Sequence, residues 1–398
     1  MRPSVETMTS SENSTPHGLV VVGGGPAAHS AATAYRDAGG TGSIVLLSDD
    51  TRAPYRRPPL SKGYLRGEVG LDDMGVGDDA LAEKDVTVVL GAKVVELDTA
   101  ARTVRTEAGD TYAYVACVLA TGVAPARLPV PGGDDARVHV LRSLADADAV
   151  RAAAGTTAIV IGSGFIGCEA AVSLAMTGTT VTQVSDEELP QVGRLGADVG
   201  RAIAGWLTEA GITLVGGATV TAVQDGRTVQ VEDHDPLEAD LVLAAVGSKP
   251  RGEVADAAGL DVHGGRVVTD EHLATSAPGV WAAGDVAYAR NATAGRHLAV
   301  EHWFDATTMG AIAGANAAGG SDVWDSVPGF FSGIGEHTIN YAAWGDGWDS
   351  ARFVDHGEGS FTVWYGQGGV TVGVLTHQAD DDLERGKELV KNGAPLPG

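Results

Sequence analysis

Residues 19–28 read Leu-Val-Val-Val-Gly-Gly-Gly-Pro-Ala-Ala, and residues 159–167 read Ile-Val-Ile-Gly-Ser-Gly-Phe-Ile-Gly. In each stretch an apolar run ends in a glycine-rich turn that leads into an alanine-rich segment, the order strand, turn, helix. Such a turn brings the backbone close to a pyrophosphate, and the helix N-terminus offers free N–H groups and a positive dipole end. One copy is a weak signal. Two copies, Gly23 and Gly162 being about 139 residues apart, imply two dinucleotide sites in one polypeptide, the arrangement of a protein that passes electrons between nucleotides.

Working outward from these turns, 18–25 reads as a buried strand entering its turn, 26–37 as a helix and 43–47 as a second strand. Residues 50–80 are rich in Pro, Gly and Asp and look too irregular for core elements. Strands are expected at 86–97, 102–106 and 114–119, then a Pro/Gly linker near 125–133 and a helix-like segment at 143–153. The second unit repeats the pattern: strand 157–161, turn 162–167, helix 168–177, strand 179–184, helix 196–210, then strands near 212–215, 218–232 and 241–246. The pattern of the first unit returns over 253–325, with Gly284-Asp285 ending a short strand and a helix at about 303–317. From 326 onward aromatic residues alternate with polar ones, giving a small antiparallel sheet and a helix near 380–391. The fold class is α/β: two Rossmann-like dinucleotide-binding units plus a small α+β C-terminal domain. The expected division is a disordered tail at 1–17, a discontinuous first unit at 18–126 and 252–325, a second at 127–251 and the C-terminal domain at 326–398.

Composition narrows the classes. At 398 residues with 44% hydrophobic content the chain suits a soluble globular protein of two or three domains. A net charge of −25 opposes nucleic acid or an anionic membrane as partner. No apolar run is long enough to span a bilayer, and the polar N-terminus lacks a signal-peptide core, so cytoplasmic residence is expected. The two cysteines, Cys117 and Cys168, lie 51 residues apart in apolar segments. Neither a dithiol motif nor metal-ligand spacing is present, so they read as small buried hydrophobes and no metal is expected.

Individual residues follow from the turns. Asp49 ends the strand after the first turn, 26 residues past Gly23, where a carboxylate can accept from ribose hydroxyls. Ser185 ends the equivalent strand of the second unit, where an NAD-preferring fold usually carries Glu or Asp; Asp186 and Glu187 follow. Lys62, one of six lysines, sits on a proline-stiffened segment. Glu169 is expected on the first turn of its helix, complementing the dipole. His302, His337 and His377 suit structural roles, and Trp303, Phe330 and Phe331 suit packing.

These residues give a resemblance over about 18–398. The chain resembles the single-component, FAD-dependent NADH–ferredoxin reductases of oxygenase systems, a group that includes putidaredoxin and rubredoxin reductases, with apoptosis-inducing factor as a distant relative. The most discriminating part is Arg57-Pro58-Pro59-Leu60-Ser61-Lys62. Ala120-Thr121-Gly122, Gly162 to Glu169, Gly284-Asp285 and Glu301-His302-Trp303 add to it. The resemblance implies an FAD site built from Gly23, Gly25, Pro26, Ala27, Ser48, Asp49, Arg57, Lys62, Val94, Ala120, Thr121, Gly122, Gly284, Asp285, His302 and Trp303. It implies a nicotinamide dinucleotide site at Gly162, Gly164, Phe165, Ile166, Gly167, Ser185 and Gly247, for NADH with NADPH possible. Lys62 would lie beside the flavin N5, paired with Glu169, and these two are the expected catalytic residues.

The family's aromatic-Trp-Ser-Asp string reads Phe330-Phe331-Ser332-Gly333 here. The expected activity is electron transfer from NAD(P)H through FAD to an external carrier, a [2Fe–2S] ferredoxin serving a cytochrome P450 or dioxygenase. Alternatives are reduction of a small organic acceptor, such as a quinone, and a slow-turnover redox sensor.

Overall fold

The computed structural model describes residues 15–75 and 78–397. Most of the expected N-terminal tail lies outside them, and His17 already opens the first strand.

The first glycine turn is held by a parallel sheet. Its central strand, His17–Val22, lies between Ile44–Leu47 and Thr111–Leu119, with Val86–Val89 beyond the former and Val280–Ala282 beyond the latter. Leu19, Val20 and Val21 are fully buried, as a strand covered on both faces requires. Gly23 has φ +135°, and a Cβ there would run into the carbonyl of Ala120, so only glycine lets the chain leave the strand here. The helix Pro26–Asp37 then packs against Trp303–Ala317. Alanines and glycines on the facing sides bring the two backbones so close that a Cβ on Gly310 or Gly314 would overlap the backbone at Ala27 or Ala31.

The second unit repeats the geometry. Its five parallel strands run in the order Thr213–Val215, Thr180–Val184, Thr157–Ile161, Leu241–Ala244, Val138–His139. Two short strands, Val123–Pro125 and Ser248–Pro250, pair antiparallel where the chain enters and leaves this unit. The C-terminal region forms a five-stranded antiparallel sheet, Gly329–Ile334, His337–Ala343, Val370–His377, Ser360–Gln367, Ser350–Gly357 in spatial order, carrying the helix Asp380–Lys391.

Several sequence expectations need correction. The run 86–97 is two strands, Val86–Val89 and Val94–Asp98, and 218–232 is a hairpin of Val220–Gln224 and Thr228–Val231. Helix 168–177 begins earlier, at Phe165, so Phe165, Ile166 and Gly167 are helical rather than part of the turn. The largest miss is 50–80. Tyr55, Leu60, Tyr64, Leu65 and Met74 are all buried, in one cluster with Val160 and Val172 of the second unit and Ile334 and Tyr365 of the C-terminal sheet. Prolines and glycines interrupt periodicity there, but a 3₁₀ turn at Pro58–Ser61 and a single helical turn at Gly63–Arg66 still direct the apolar side chains inward.

Candidate active site

Both glycine turns end in helices with no side-chain cap. Gly25 caps Pro26–Asp37 and Gly164 caps Phe165–Met176, neither with a side-chain hydrogen bond. The first-turn N–H groups of two long helices therefore lack side-chain acceptors and suit an anion. Around the first turn, a Cβ on Gly24 would collide with the buried Ser48 hydroxyl, so the chain lies flat against the end of the second strand. Ala120, Thr121 and Gly122 flank the same mouth, and the Thr121 hydroxyl donates to Arg251 O at 2.7 Å. Asp49 is half exposed and pairs with Arg251 at 2.5 Å. Val94 opens its strand on the rim of the neighbouring apolar cluster.

Two arginines come together beside Gly122 and Asp285. Arg57 Nη1 donates to Arg142 O at 3.4 Å, and Arg142 Nη2 pairs with Asp285 Oδ2 at 2.8 Å. The Nε atoms of both arginines are buried without a partner among the described residues. Burial first, and then the neighbouring Arg142 charge, push the Arg57 guanidinium below its usual range. Two adjoining cations with orphaned donors, against one carboxylate, fit a dinucleotide pyrophosphate. Sequence reasoning misses Arg142, although it immediately precedes the Ser143/Asp146 capping box that starts the helix Leu144–Ala153.

Lys62 and Glu169 are brought together across the junction. Lys62 Nζ lies 2.6 Å from Glu169 Oε2. Glu169 is only 4% exposed and accepts from two more donors, Ser61 Oγ at 2.5 Å and Ser332 Oγ at 2.7 Å. Its expected place on the first helical turn is corrected: the helix starts at Phe165, so Glu169 sits one turn in and serves Lys62 rather than the dipole. Lys62, 20% exposed, also donates to Pro58 O at 3.1 Å. Ser61 and Ser332 lie inside the two strings quoted from the sequence, but neither string says that its serine reaches Glu169; only the fold gives them that neighbour.

Further along the same mouth, His302 precedes the helix Trp303–Ala317, and its Nδ1 lies 3.2 Å from the buried Asp305 carboxylate. Trp303 has a buried Nε1 without a partner among the described residues, and Arg56 lies over its ring at 5.8 Å. Phe330 packs against Phe165, His302 and Tyr341. Phe331 does not follow the packing expectation. It is 37% exposed, beside Phe304 at 52%, and 5.9 Å from Lys62 Nζ. Gly284 and Gly247 both take positive φ, at +75° and +110°.

At the second turn a Cβ on Gly162 would strike Ala245 O, and one on Gly167 would strike Gly162 O. Both glycines are therefore needed for close strand–helix approach. Ser185 is buried, with its Oγ 2.6 Å from Ser163 Oγ and accepting from Glu187 N at 3.1 Å. Ile166 is exposed on the first turn of the helix Phe165–Met176. The thiols of Cys117 and Cys168 are fully buried, and burial pushes both up to about 12. Among the described residues no group of three or more His, Cys, Asp and Glu could hold a metal ion, and no helix is long and apolar enough to cross a membrane.

Two glycine turns whose helices lack side-chain caps, a pair of arginines beside Asp285 and a lysine–carboxylate pair joining the units fit a two-dinucleotide flavoprotein oxidoreductase. The chain belongs to the pyridine nucleotide-disulphide oxidoreductase family, whose model matches residues 17–310. It is 32% identical over 393 residues to the ferredoxin–NAD(+) reductase component of the anthranilate 1,2-dioxygenase system of Burkholderia cepacia, covering 94% of each chain. It is 29% identical over 415 residues to a peroxisomal monodehydroascorbate reductase of Arabidopsis thaliana, again covering 94% of each. Putidaredoxin reductase, solved in a covalent complex with putidaredoxin, superposes with a TM-score of 0.88 at 29% identity, covering 96% of this chain and 94% of that one. The chain is an FAD-dependent NAD(P)H oxidoreductase that uses FAD and NAD(H).

Proposed function

We infer that this protein carries electrons from NADH through FAD to an external one-electron carrier, a small [2Fe–2S] ferredoxin that serves a P450 or dioxygenase. The observation that supports the reading most is the Lys62–Glu169 pair at the junction of the two nucleotide units. When bound, FAD supplies hydride acceptance and stepwise electron release.

The residues then have distinct tasks. Gly23, Gly25, Pro26 and Ala27 would carry the FAD pyrophosphate on the first helix N-terminus, with Arg57 and Arg142 as counter-charges. Ser48, Asp49 and Val94 would line its adenosine end. Ala120, Thr121, Gly122, Gly284, Asp285, His302 and Trp303 would line the rest. Gly162, Gly164, Phe165, Ile166, Gly167, Ser185 and Gly247 would hold NADH, with NADPH possible. Lys62 would keep a proton and a positive charge at Nζ next to the redox centre, and Glu169 would orient that ammonium. Cys117 and Cys168 are too deeply buried to relay electrons, so the acceptor is external. This work belongs to the cytoplasm.

A second reading, direct reduction of a small organic acceptor, is favoured by the exposed Phe331 and by Gly333, where a Cβ would stand 3.5 Å from Lys62 Cε. Anaerobic reduction with NADH followed by mixing with a ferredoxin or a quinone separates the two. Fast reoxidation by ferredoxin supports the first; reoxidation by quinone alone would sink it.

A further inference from the structure

The Glu169 carboxylate is held by three parts of the fold at once. Ser61 and Lys62 come from the segment after the first unit's second strand, Glu169 from the second unit's helix, and Ser332 from the edge strand Gly329–Ile334 of the C-terminal sheet. Oε2 accepts from Ser61 and Lys62, while Ser332 Oγ donates to Oε1 at 2.7 Å. Ser332 is 1% exposed, and Ser61 is itself fixed, because Ser173 Oγ donates to Ser61 O at 2.7 Å.

The strand pleat explains the arrangement. Successive side chains alternate between faces, so Ser332 reaches Glu169 while its neighbours Phe331 and Gly333 lie against Lys62. In a site so little exposed to water, one hydroxyl donor to a carboxylate changes both its aim and the field it projects.

We propose that Ser332 is a positioning residue for the reaction: its hydroxyl holds Glu169 against Lys62, so the C-terminal sheet helps set the electrostatics of the redox centre. This rests on the functional reading above. Without the hydroxyl, less of the Glu169 charge is offset, the surroundings of Lys62 become more negative, and an electron is harder to add.

The test uses the FAD-loaded protein and its variants Ser332→Ala, Ser332→Thr, Glu169→Gln and Ser332→Ala combined with Glu169→Gln. The midpoint potential of bound FAD is read by dye equilibration, and stopped-flow gives the reduction rate constant and the apparent NADH dissociation constant separately. Ser332→Ala should move the potential to more negative values and slow reduction several-fold, leaving NADH affinity unchanged. Ser332→Thr should restore both. In the Glu169→Gln background Ser332→Ala should change neither, since the carboxylate it acts through is gone. Equal effects in both backgrounds, or a fall in thermal stability with no change in potential, would overturn the role for Ser332 alone. A chain that takes no FAD, or is not reduced by NADH, would overturn the functional reading and this inference together.

Discussion

Lys62 Nζ and Glu169 Oε2 lie 2.6 Å apart, yet the lysine follows a proline-rich turn of the first unit and the glutamate sits in the second unit's helix. The second unit and the C-terminal sheet therefore close over the lysine together. Any change in how these parts pack is felt at the ammonium.

Replacing Lys62 with Met leaves Glu169 its two serine donors, so the fold should survive. Reduction of the flavin by NADH should slow by roughly 10²-fold, in line with the loss of one positioned proton-bearing group, while FAD retention changes little. Stopped-flow absorbance and a flavin-release assay check the two halves; unchanged reduction would contradict the role given to Lys62.

Ser185→Glu places a carboxylate where Ser185 now bonds the Ser163 hydroxyl. A charged acceptor for the ribose 2′-hydroxyl contributes about 1.5–3 kcal/mol, or roughly tenfold and upward in affinity. The ratio of kcat/KM for NADH over NADPH should rise accordingly. No change in that ratio would place Ser185 away from the ribose.

Both thiols should resist alkylation at pH 8 in the native protein, because burial pushes them up to about 12. Mass spectrometry after iodoacetamide should find no label before denaturation and two after it.

His337 stacks on Trp206 at 4.5 Å, and burial, followed by the nearby His377, lowers its pKa. Below the ordinary value of 6.5 the unfolded chain takes up the proton before the folded one does, so stability falls as pH drops through that window and is fully present above it. His337→Phe keeps the stacked ring and should flatten the loss of Tm between pH 7 and pH 5.

Gly310→Ala should destabilise by about 1–3 kcal/mol, the usual cost of overpacking, because its new methyl would overlap the backbone at Ala27. A lower Tm is the expected result, together with faster flavin release, because Ala27 lies at the helix N-terminus that would carry the FAD pyrophosphate.

Much of the molecule is readable in one dimension because its signals are local. The runs Leu19 to Val22 and Ile159 to Ile161 are apolar throughout and need no partner to be recognised as strands. Gly23 and Gly162 then take a positive φ that a residue with a side chain rarely adopts. The helices Trp303–Ala317 and Asp380–Lys391 fall where the sequence pattern puts them. Residues 50–75 escape such reading for the opposite reason: the apolar residues of that irregular segment are ordered by surfaces that other parts of the chain supply.

The amino-acid sequence alone determined the two glycine turns between strand and helix, the apolar setting of the two cysteines and the resemblance carried by Arg57 to Lys62. Only the tertiary structure decided that Glu169 serves Lys62 with Ser61 and Ser332 as further donors, that Arg142 joins Arg57 beside Asp285, and that Phe331 stays exposed beside Lys62. A turn is a property of adjacent residues and their allowed backbone angles. A charge pair across two units depends on how their surfaces pack, and that is decided when the cores form.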